Sequence, residues 1–394
     1  MTSRRHFLQH SAALGATAAV APVAWGAATP TYLPAVPGRP VPAASGFGFE
    51  STAEEVTAGM DLSGLTALVT GCDSGLGYET MRVLAMRGAH VIGAARTMEK
   101  AETACNSVAG KTTPLVVELT DLDGIVVAAE QVKSMDIPLD KLILNAGIMA
   151  LPELEIVNGV EKQFAVNHLG HFLLTEHLIA QVTSARAGRV VVLSSGAHRW
   201  AKPYGIDFDN LDGSKSFDPF AAYGQSKTAN GLFSRELARR LADSSATSNS
   251  LHPGVIDTNL GRHLPPRDEK DATARKRRLK TIPQGTATTC YVATNPGLER
   301  VTGFYFVDCN MAAPETCGVG SAKNQLTVEK LTAVRELIPL MSLRARNCAN
   351  PARRAEVDAR FLPSGALRSE SSCRFRRCRS FRRAANACEA PQPA

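Results

Sequence analysis

Between residues 61 and 310, short continuous apolar runs alternate with longer stretches in which apolar side chains recur at every third or fourth position. The runs at 65–70, 90–94, 115–117, 141–144, 189–193 and 303–307 predict strands, and the stretches at 78–87, 159–180 and 223–241 predict helices. The runs at 142–144 and 190–193 have no polar face, as a strand covered by helices on both sides requires. Alternation of this kind builds a parallel sheet with crossover helices. The expected fold class is therefore α/β, a doubly wound parallel sheet forming a single domain over residues 61–340. Two insertions, 196–222 and 261–283, interrupt the rhythm, and no internal repeat is present.

The flanks follow other patterns. Ser3-Arg4-Arg5-His6-Phe7-Leu8-Gln9 precedes an Ala-rich, mildly apolar run ending at Ala28, the arrangement of a twin-arginine export signal. The run is too short and too weakly apolar for a membrane span. Residues 1–28 are thus expected to engage the twin-arginine translocation machinery and deliver the chain to the periplasm; a cytoplasmic protein is the alternative. Residues 29–60 carry five prolines among many Ala and Gly, and predict a linker without a core of its own. Residues 341–394 hold Arg, Ser, Ala and Cys without helical or strand period, and predict a disordered basic tail, with a frame-shifted or read-through end as an alternative origin.

Charge changes the picture only at that tail. The chain of 394 residues carries +7, but twelve Arg and four acids give the tail +8, which leaves −1 for everything before it. A folded region so nearly neutral lacks the clustered positive face of a nucleic-acid reader, so no nucleic acid partner is expected. The nine cysteines show no Cys-x-x-Cys pair and no regular spacing, which indicates neither a zinc module nor a disulfide framework.

The first strand runs into Thr70-Gly71-Cys72-Asp73-Ser74-Gly75-Leu76-Gly77, followed directly by a helical stretch. Glycines let backbone approach a pyrophosphate, and the next helix offers free amides and a positive dipole end to it, so a Rossmann-like dinucleotide site is expected here. The second strand ends at Arg96, where an acid would hold the ribose hydroxyls of NAD(H). A guanidinium pairs instead with a 2′-phosphate, which favours NADP(H) over NAD(H). Further along, Tyr223-Gly224-Gln225-Ser226-Lys227 opens a predicted helix, and residues four apart share one face. A phenol ionises near pH ~10, and a neighbouring cation lowers that value by favouring phenolate. Ser194-Ser195 ends a buried strand, and Asn167 lies within Phe164-Ala165-Val166-Asn167-His168-Leu169-Gly170-His171-Phe172.

Together these motifs resemble the short-chain dehydrogenase/reductase family over about residues 61–314. Leu144-Asn145-Ala146-Gly147, Tyr223 with Lys227, and His252-Pro253-Gly254-Val255-Ile256-Asp257-Thr258 carry the resemblance. Asn167-His168-Leu169-Gly170-His171-Phe172, the Tyr-Gly-Gln-Ser-Lys form and Cys309-Asn310 are similar to the subgroup of retinol dehydrogenases and WW-domain oxidoreductases. The resemblance implies an enzyme that interconverts an alcohol and a carbonyl compound by hydride transfer, with a small-molecule substrate and the homo-oligomeric habit of the family. It implies that Tyr223 exchanges the substrate proton, Lys227 lowers the pKa of Tyr223 and holds the nicotinamide ribose, Ser195 orients the carbonyl, and Asn167 supports a proton relay through water. Cofactor contacts are implied for Thr70, Gly71, Ser74, Gly75, Leu76, Gly77, Arg96, Glu118, Leu119, Asn145, Ala146, Gly147, Tyr223, Lys227, Pro253, Gly254 and Thr258. Glu118 stands where the family has an aspartate near the adenine, and a basic insertion at 262–278 replaces the apolar lid suited to a retinoid.

His168, His171 and His177 share one predicted helix, but no Cys or acid accompanies them at ligand spacing, so no metal is expected. Trp200, Tyr204, Phe217 and Phe220 form either an aromatic wall of the substrate pocket or a pin for the first insertion. Two other functions fit the same motifs: a nucleotide-binding, redox-responsive module without turnover, and a nucleotide-sugar epimerase or dehydratase. The intact set of Asn167, Ser195, Tyr223 and Lys227 disfavours the former, and the short region after Pro253 the latter.

Overall fold

Strands whose residues are buried on both faces organise the molecule. The computed structural model describes residues 36–201, 205–264 and 279–312. The strands are β1 (Thr66–Thr70), β2 (His90–Ala95), β3 (Thr112–Val116), β4 (Lys141–Leu144), β5 (Ile156–Val157), β6 (Val160–Glu161), β7 (Arg189–Leu193), β8 (Thr247–His252), β9 (Tyr305–Val307) and β10 (Asn310–Met311). The helices are α1 (Ala53–Val56), α2 (Gly75–Met86), α3 (Met98–Asn106), α4 (Leu122–Ser134), α5 (Gly170–Ser184), α6 (Pro219–Arg240) and α7 (Ile282–Thr294). The main sheet has the order β10-β9-β8-β7-β4-β1-β2-β3; all its pairs are parallel except the edge pair β9 and β10. β5 and β6 form a separate hairpin.

Alternate residues of each strand enter different cores, as a period of two dictates. Leu68, Ile92, Leu142, Leu144, Val190 and Val192 face α4, α5 and α6. Ala67, Val69, Val91, Ile143, Val191 and Leu193 face α1, α2 and α7. Each fully buried Leu, Ile or Val of this kind contributes about 1.5–3 kcal/mol over an exposed one. This is the expected α/β class, a doubly wound, mostly parallel sheet between two helical layers.

Several elements differ from their sequence-based expectation. β8 reads Thr247-Ser248-Asn249-Ser250-Leu251-His252, polar at all but one position, yet it lies buried between β7 and β9. Its side chains find partners instead of apolar neighbours: Asn249 Nδ2 donates to Val301 O (2.7 Å), Asn249 Oδ1 accepts from Phe304 N (3.0 Å), and Ser248 Oγ bonds Ser234 Oγ (3.0 Å). The helix expected from 159 starts only after the β5–β6 hairpin. It opens with a turn at Lys162–Phe164, passes a π-helical turn at Ala165–Leu169 and continues as α5. α6 begins at Pro219 rather than Tyr223, because Asp218 accepts hydrogen bonds from Phe220 N and Ala221 N and Pro219 occupies the first position.

The segment 36–60, expected to be linker, packs on the domain. Arg39 Nη2 donates to Ala242 O (2.9 Å) and Ser244 O (2.7 Å), the Phe47 ring meets Tyr291 edge-on at 6.0 Å, and Ala53 and Val56 of α1 are buried in the second core. Its prolines restrict the unfolded chain, so ordering it costs less entropy. The export signal and the basic tail lie outside the described residues. Cys72, Cys105, Cys290 and Cys309 are buried free thiols, and among the described residues no helix is long and apolar enough to cross a membrane.

Candidate active site

The sheet order reverses at β1, which has β2 and β3 on one side and β4 on the other. In open α/β sheets ligands bind outside the carboxyl ends of the strands at such a point. The glycine-rich loop lies there. Gly71 has φ +70° and packs against Ala146, where an added Cβ would stand 3.1 Å from Ala146 Cα. A Cβ at Gly77 would collide with Gly71 O, so only glycine lets α2 approach the strand end this closely. α2 starts at Gly75, and Ser74 makes no side-chain cap to its first turn, which leaves those amides directed at the loop mouth.

β4 supports this loop from the side. Asn145 Nδ2 donates to Thr70 O (2.8 Å), while Asn145 N and Ala146 N donate to Thr70 Oγ1 (2.9 and 3.0 Å). Thr258, after β8, comes close to Gly75; an added Cβ there would lie 3.6 Å from Thr258 Cγ2. Thr70, Gly71, Ser74 to Gly77, Asn145 to Gly147 and Thr258 therefore meet at one place. Arg96 is exposed just beyond β2, whose Ala94 O accepts from Gly71 N (2.8 Å) and Cys72 N (3.1 Å). Lys100 Nζ lies 4.0 Å from Asp73 Oδ2 of the loop, a second cation on this side that sequence inspection missed. Glu118 Oε1 accepts from Thr120 N (3.1 Å) and Thr120 Oγ1 (2.9 Å), and Leu119 is buried against Gly170.

At the ends of β4 and β7, α6 brings Tyr223 and Lys227 together on its buried face. Lys227 Nζ stands 5.5 Å from the Tyr223 ring centroid and donates to Leu193 O (3.3 Å). Burial pushes the Tyr223 phenol up to about 12, partly offset by its hydrogen bond with Ser195. Burial pushes Lys227 down to about 8. Desolvation is the larger influence on the phenol and the Ser195 hydrogen bond the opposing one. Ser195 Oγ accepts from Ala197 N (3.1 Å) and faces Tyr223, whereas Ser194 Oγ donates to Lys227 O (2.7 Å) and braces α6. Asn167 is fully buried in the π-helical turn; its Oδ1 accepts from Ile148 N (2.8 Å) and its Nδ2 donates to Ile148 O and Ser226 Oγ (2.9 Å each).

The histidines are structural groups of this site, and among the described residues no metal-binding cluster exists. His171 Nδ1 bonds Asn167 O (3.1 Å) and its Nε2 bonds Thr70 Oγ1 (2.9 Å). Asn167 O can only accept, so Nδ1 carries the hydrogen and Nε2 accepts from Thr70 Oγ1. His252, unweighed in the sequence, accepts from Gly196 N at Nδ1 (3.0 Å) beside Ser195. Trp200 is half-exposed, packs edge-on against Phe220 (5.6 Å) and stands 6.3 Å from the Tyr223 ring, so it pins the first insertion to α6 beside Tyr223. Phe217 stays in the loop near Gly213, Tyr204 lies outside the described residues, and Pro253 and Gly254 follow β8.

Comparisons with known proteins agree with this geometry. Residues 65–207 match the family model of short chain dehydrogenases. Short-chain dehydrogenase TIC 32 B, chloroplastic, from Brassica napus is 42% identical over 287 residues, covering 70% of this chain and 90% of that protein. The chain belongs to the short-chain dehydrogenase family. It is an NAD(P)-dependent oxidoreductase enzyme of that family. Human retinol dehydrogenase 14 is 37% identical (63% of this chain, 79% of that protein), and human WW domain-containing oxidoreductase 36% (73% and 70%). The solved Pseudomonas aeruginosa RhlG/NADP active-site complex is 27% identical, with a TM-score of 0.52 over 62% of this chain and 96% of that one. Residues 1–21 match a twin-arginine translocation signal sequence, so this short-chain dehydrogenase carries a signal for export to the periplasm.

Proposed function

We propose that this enzyme uses NADP(H) to interconvert an alcohol and a carbonyl compound, with Tyr223, Lys227, Ser195 and Asn167 as its catalytic group. The observation that carries the proposal is the meeting of the Ser195-bonded Tyr223 phenol and the Lys227 ammonium on the buried face of α6. The residues at the switch point fit a dinucleotide: a glycine cradle that a Cβ would fill, uncapped amides at the start of α2, and Arg96 with Lys100 flanking the loop. Two cations there suit a 2′-phosphate, and the similar Pseudomonas protein is an NADP complex. When bound, NADPH supplies the hydride.

The protein's own groups handle the proton and the orientation. A phenol near 12 is protonated at neutral pH, so Tyr223 donates the proton when the carbonyl is reduced and takes it back when the alcohol is oxidised. Ser195 holds the carbonyl oxygen beside that phenol. Lys227 stabilises the phenolate left after proton transfer and reaches the nicotinamide ribose. Asn167 has both amide protons engaged by Ile148 and Ser226, so it supports the relay by tying the 165–169 turn to the Ile148 segment and to α6. Glu118 and Leu119 would hold the adenine, Asn145 to Gly147 the adenosine side, and Pro253, Gly254 and Thr258 the nicotinamide. Trp200 gives the substrate an apolar neighbour next to Tyr223.

Within the family we place the chain near the retinol dehydrogenases and WW domain-containing oxidoreductases on its Asn167–Phe172 and Tyr223–Lys227 motifs; identities of 36–37% to these, beside 42% to the TIC 32 protein, do not single that subgroup out. Its basic insertion at 262–278, most of which lies outside the described residues, argues for a substrate other than a retinoid. In this scheme residues 61–340 are the catalytic domain and 341–394 a dispensable tail. Twin-arginine substrates cross the membrane folded, so the nucleotide is loaded before export. The test is NADPH consumption with a panel of aldehydes and ketones. Tyr223→Phe should lower reduction by about 10²-fold or more while NADPH binding, read by its fluorescence, persists. Unchanged turnover in that variant overturns the proposal.

A further inference from the structure

Lys280 stands outside the groups above, and its side chain is fully buried. Its ammonium pairs with Asp308 Oδ1 at 2.5 Å and lies 4.9 Å from the centroid of the Phe49 ring. Its backbone N–H donates to Val255 O (2.9 Å), and residues 256 and 280 form a parallel bridge. Its methylenes cover Gly254, where a Cβ would come within 2.7 Å of Lys280 Cδ and where φ is +103°. Three segments far apart in sequence thus converge on one residue, 254–256 on its backbone and methylenes and 49 and 308 on its ammonium.

Each of the three is anchored elsewhere. Asn310 Nδ2 donates to Asp308 O and to Phe47 O (2.8 Å each), and Asn310 Oδ1 accepts from Ser45 N (3.0 Å), which joins the turn at 308 to the segment before Phe49. On its other side the 253–258 segment reaches the glycine-rich loop. A Cβ at Gly285 would stand 2.5 Å from Ile256 Cγ1 and 3.0 Å from Leu76 Cδ2, and Thr258 abuts Gly75. A buried ammonium is costly unless paired, and an apolar side chain would fill the same space without that cost. Its ion pair and ring contact add direction, since they fix where the Lys280 chain runs beneath Gly254.

We infer that Lys280 is a positioning residue that clamps segment 253–258 against Asp308 and Phe49 and so sets the nicotinamide wall of the site. The inference rests on the cofactor assignment proposed above. It makes residues 45–50, which precede the stretch matched by the family model at 65–207, a working part of the enzyme.

The experiment compares Lys280→Met and Phe49→Leu with the wild-type chain in three measurements: KM and kcat with NADPH, inhibition by 2′,5′-ADP, and hydrogen exchange of amides 254–258. The fragment 2′,5′-ADP occupies only the adenosine half. Asp308 is one-third exposed, so losing Lys280 leaves no buried orphan charge and the variant should fold. Lys280→Met should raise the NADPH KM about tenfold, leave inhibition by 2′,5′-ADP within about twofold, and speed exchange at 254–258; Phe49→Leu should show the same pattern more weakly. Parallel weakening of NADPH and 2′,5′-ADP would mark general loss of structure and overturn the inference, as would no change in either. If Lys280→Met does not accumulate folded, Phe49→Leu decides by the same criteria. A wild-type chain that binds no NADPH would refute the cofactor assignment instead; the clamp then stands or falls on exchange at 254–258.

Discussion

Three desolvated histidines, two buried and one half-buried, make this enzyme's stability sensitive to mild acid, an exposure that a periplasmic protein meets. His168 lies among Phe164, Phe172 and Phe233 with Asn230 as partner, and burial holds it down at about 4. His171 is held down at about 3, by burial first and by the Lys227 and His168 charges after it. His252 is held at about 4 by burial, with Lys280, His198 and Arg199 adding to the effect and Asp308 opposing it. The unfolded chain takes up these protons near 6.5, whereas the native state resists until well below, so between those values the unfolded state binds more protons and stability falls as pH falls. At about pH 5 each histidine then costs about 2 kcal/mol, or roughly 6 kcal/mol for the three, a large part of a typical folding free energy. Glu161, whose carboxyl is raised by burial, acts in the opposite direction and offsets part of this loss. Urea unfolding followed by helical circular dichroism at about pH 7, 6 and 5 should show the decline, and His168→Gln should remove about one-third of its slope. A difference below about 1 kcal/mol between pH 7 and pH 5, or an unaltered slope in His168→Gln, would refute the reasoning.

Lys227, held near 8, carries its charge below that pH and loses it above; carbonyl reduction should therefore decline as pH rises through about 8, and a rate flat to pH 10 would contradict its role. Arg96→Asp should shift preference toward NADH by about 10²-fold, read as the ratio of kcat/KM for the two nucleotides; a wild-type enzyme that prefers NADH would overturn the phosphate assignment. Arg4→Lys with Arg5→Lys should hold the protein in the cytoplasm with its assayed chemistry intact, which fractionation checks. Truncation after Leu340 should leave activity and thermal stability nearly unchanged, and a strongly destabilised product would show that the tail packs.

Much of the fold and of the site is written locally. Apolar runs at 142–144 and 190–193 announce strands covered on both faces, because burial of a parallel sheet leaves no polar face to encode. The glycine-rich turn between β1 and α2 and the Tyr223–Lys227 spacing on one helix are equally local, so chain geometry alone brings those groups together. What tertiary structure decided is everything whose partner lies far along the chain. β8 is a strand because Asn249 and Ser248 find Val301, Phe304 and Ser234 across the fold, and no count of apolar residues could announce it. Residues 36–60 look like linker because prolines and small residues carry no period, yet Arg39, Ser45 and Phe47 meet groups more than 200 positions away. The titration of Tyr223 and Lys227 follows the same division. Their adjacency is a property of the helix, but the desolvation that raises one and lowers the other comes from the strands and loops packed over it.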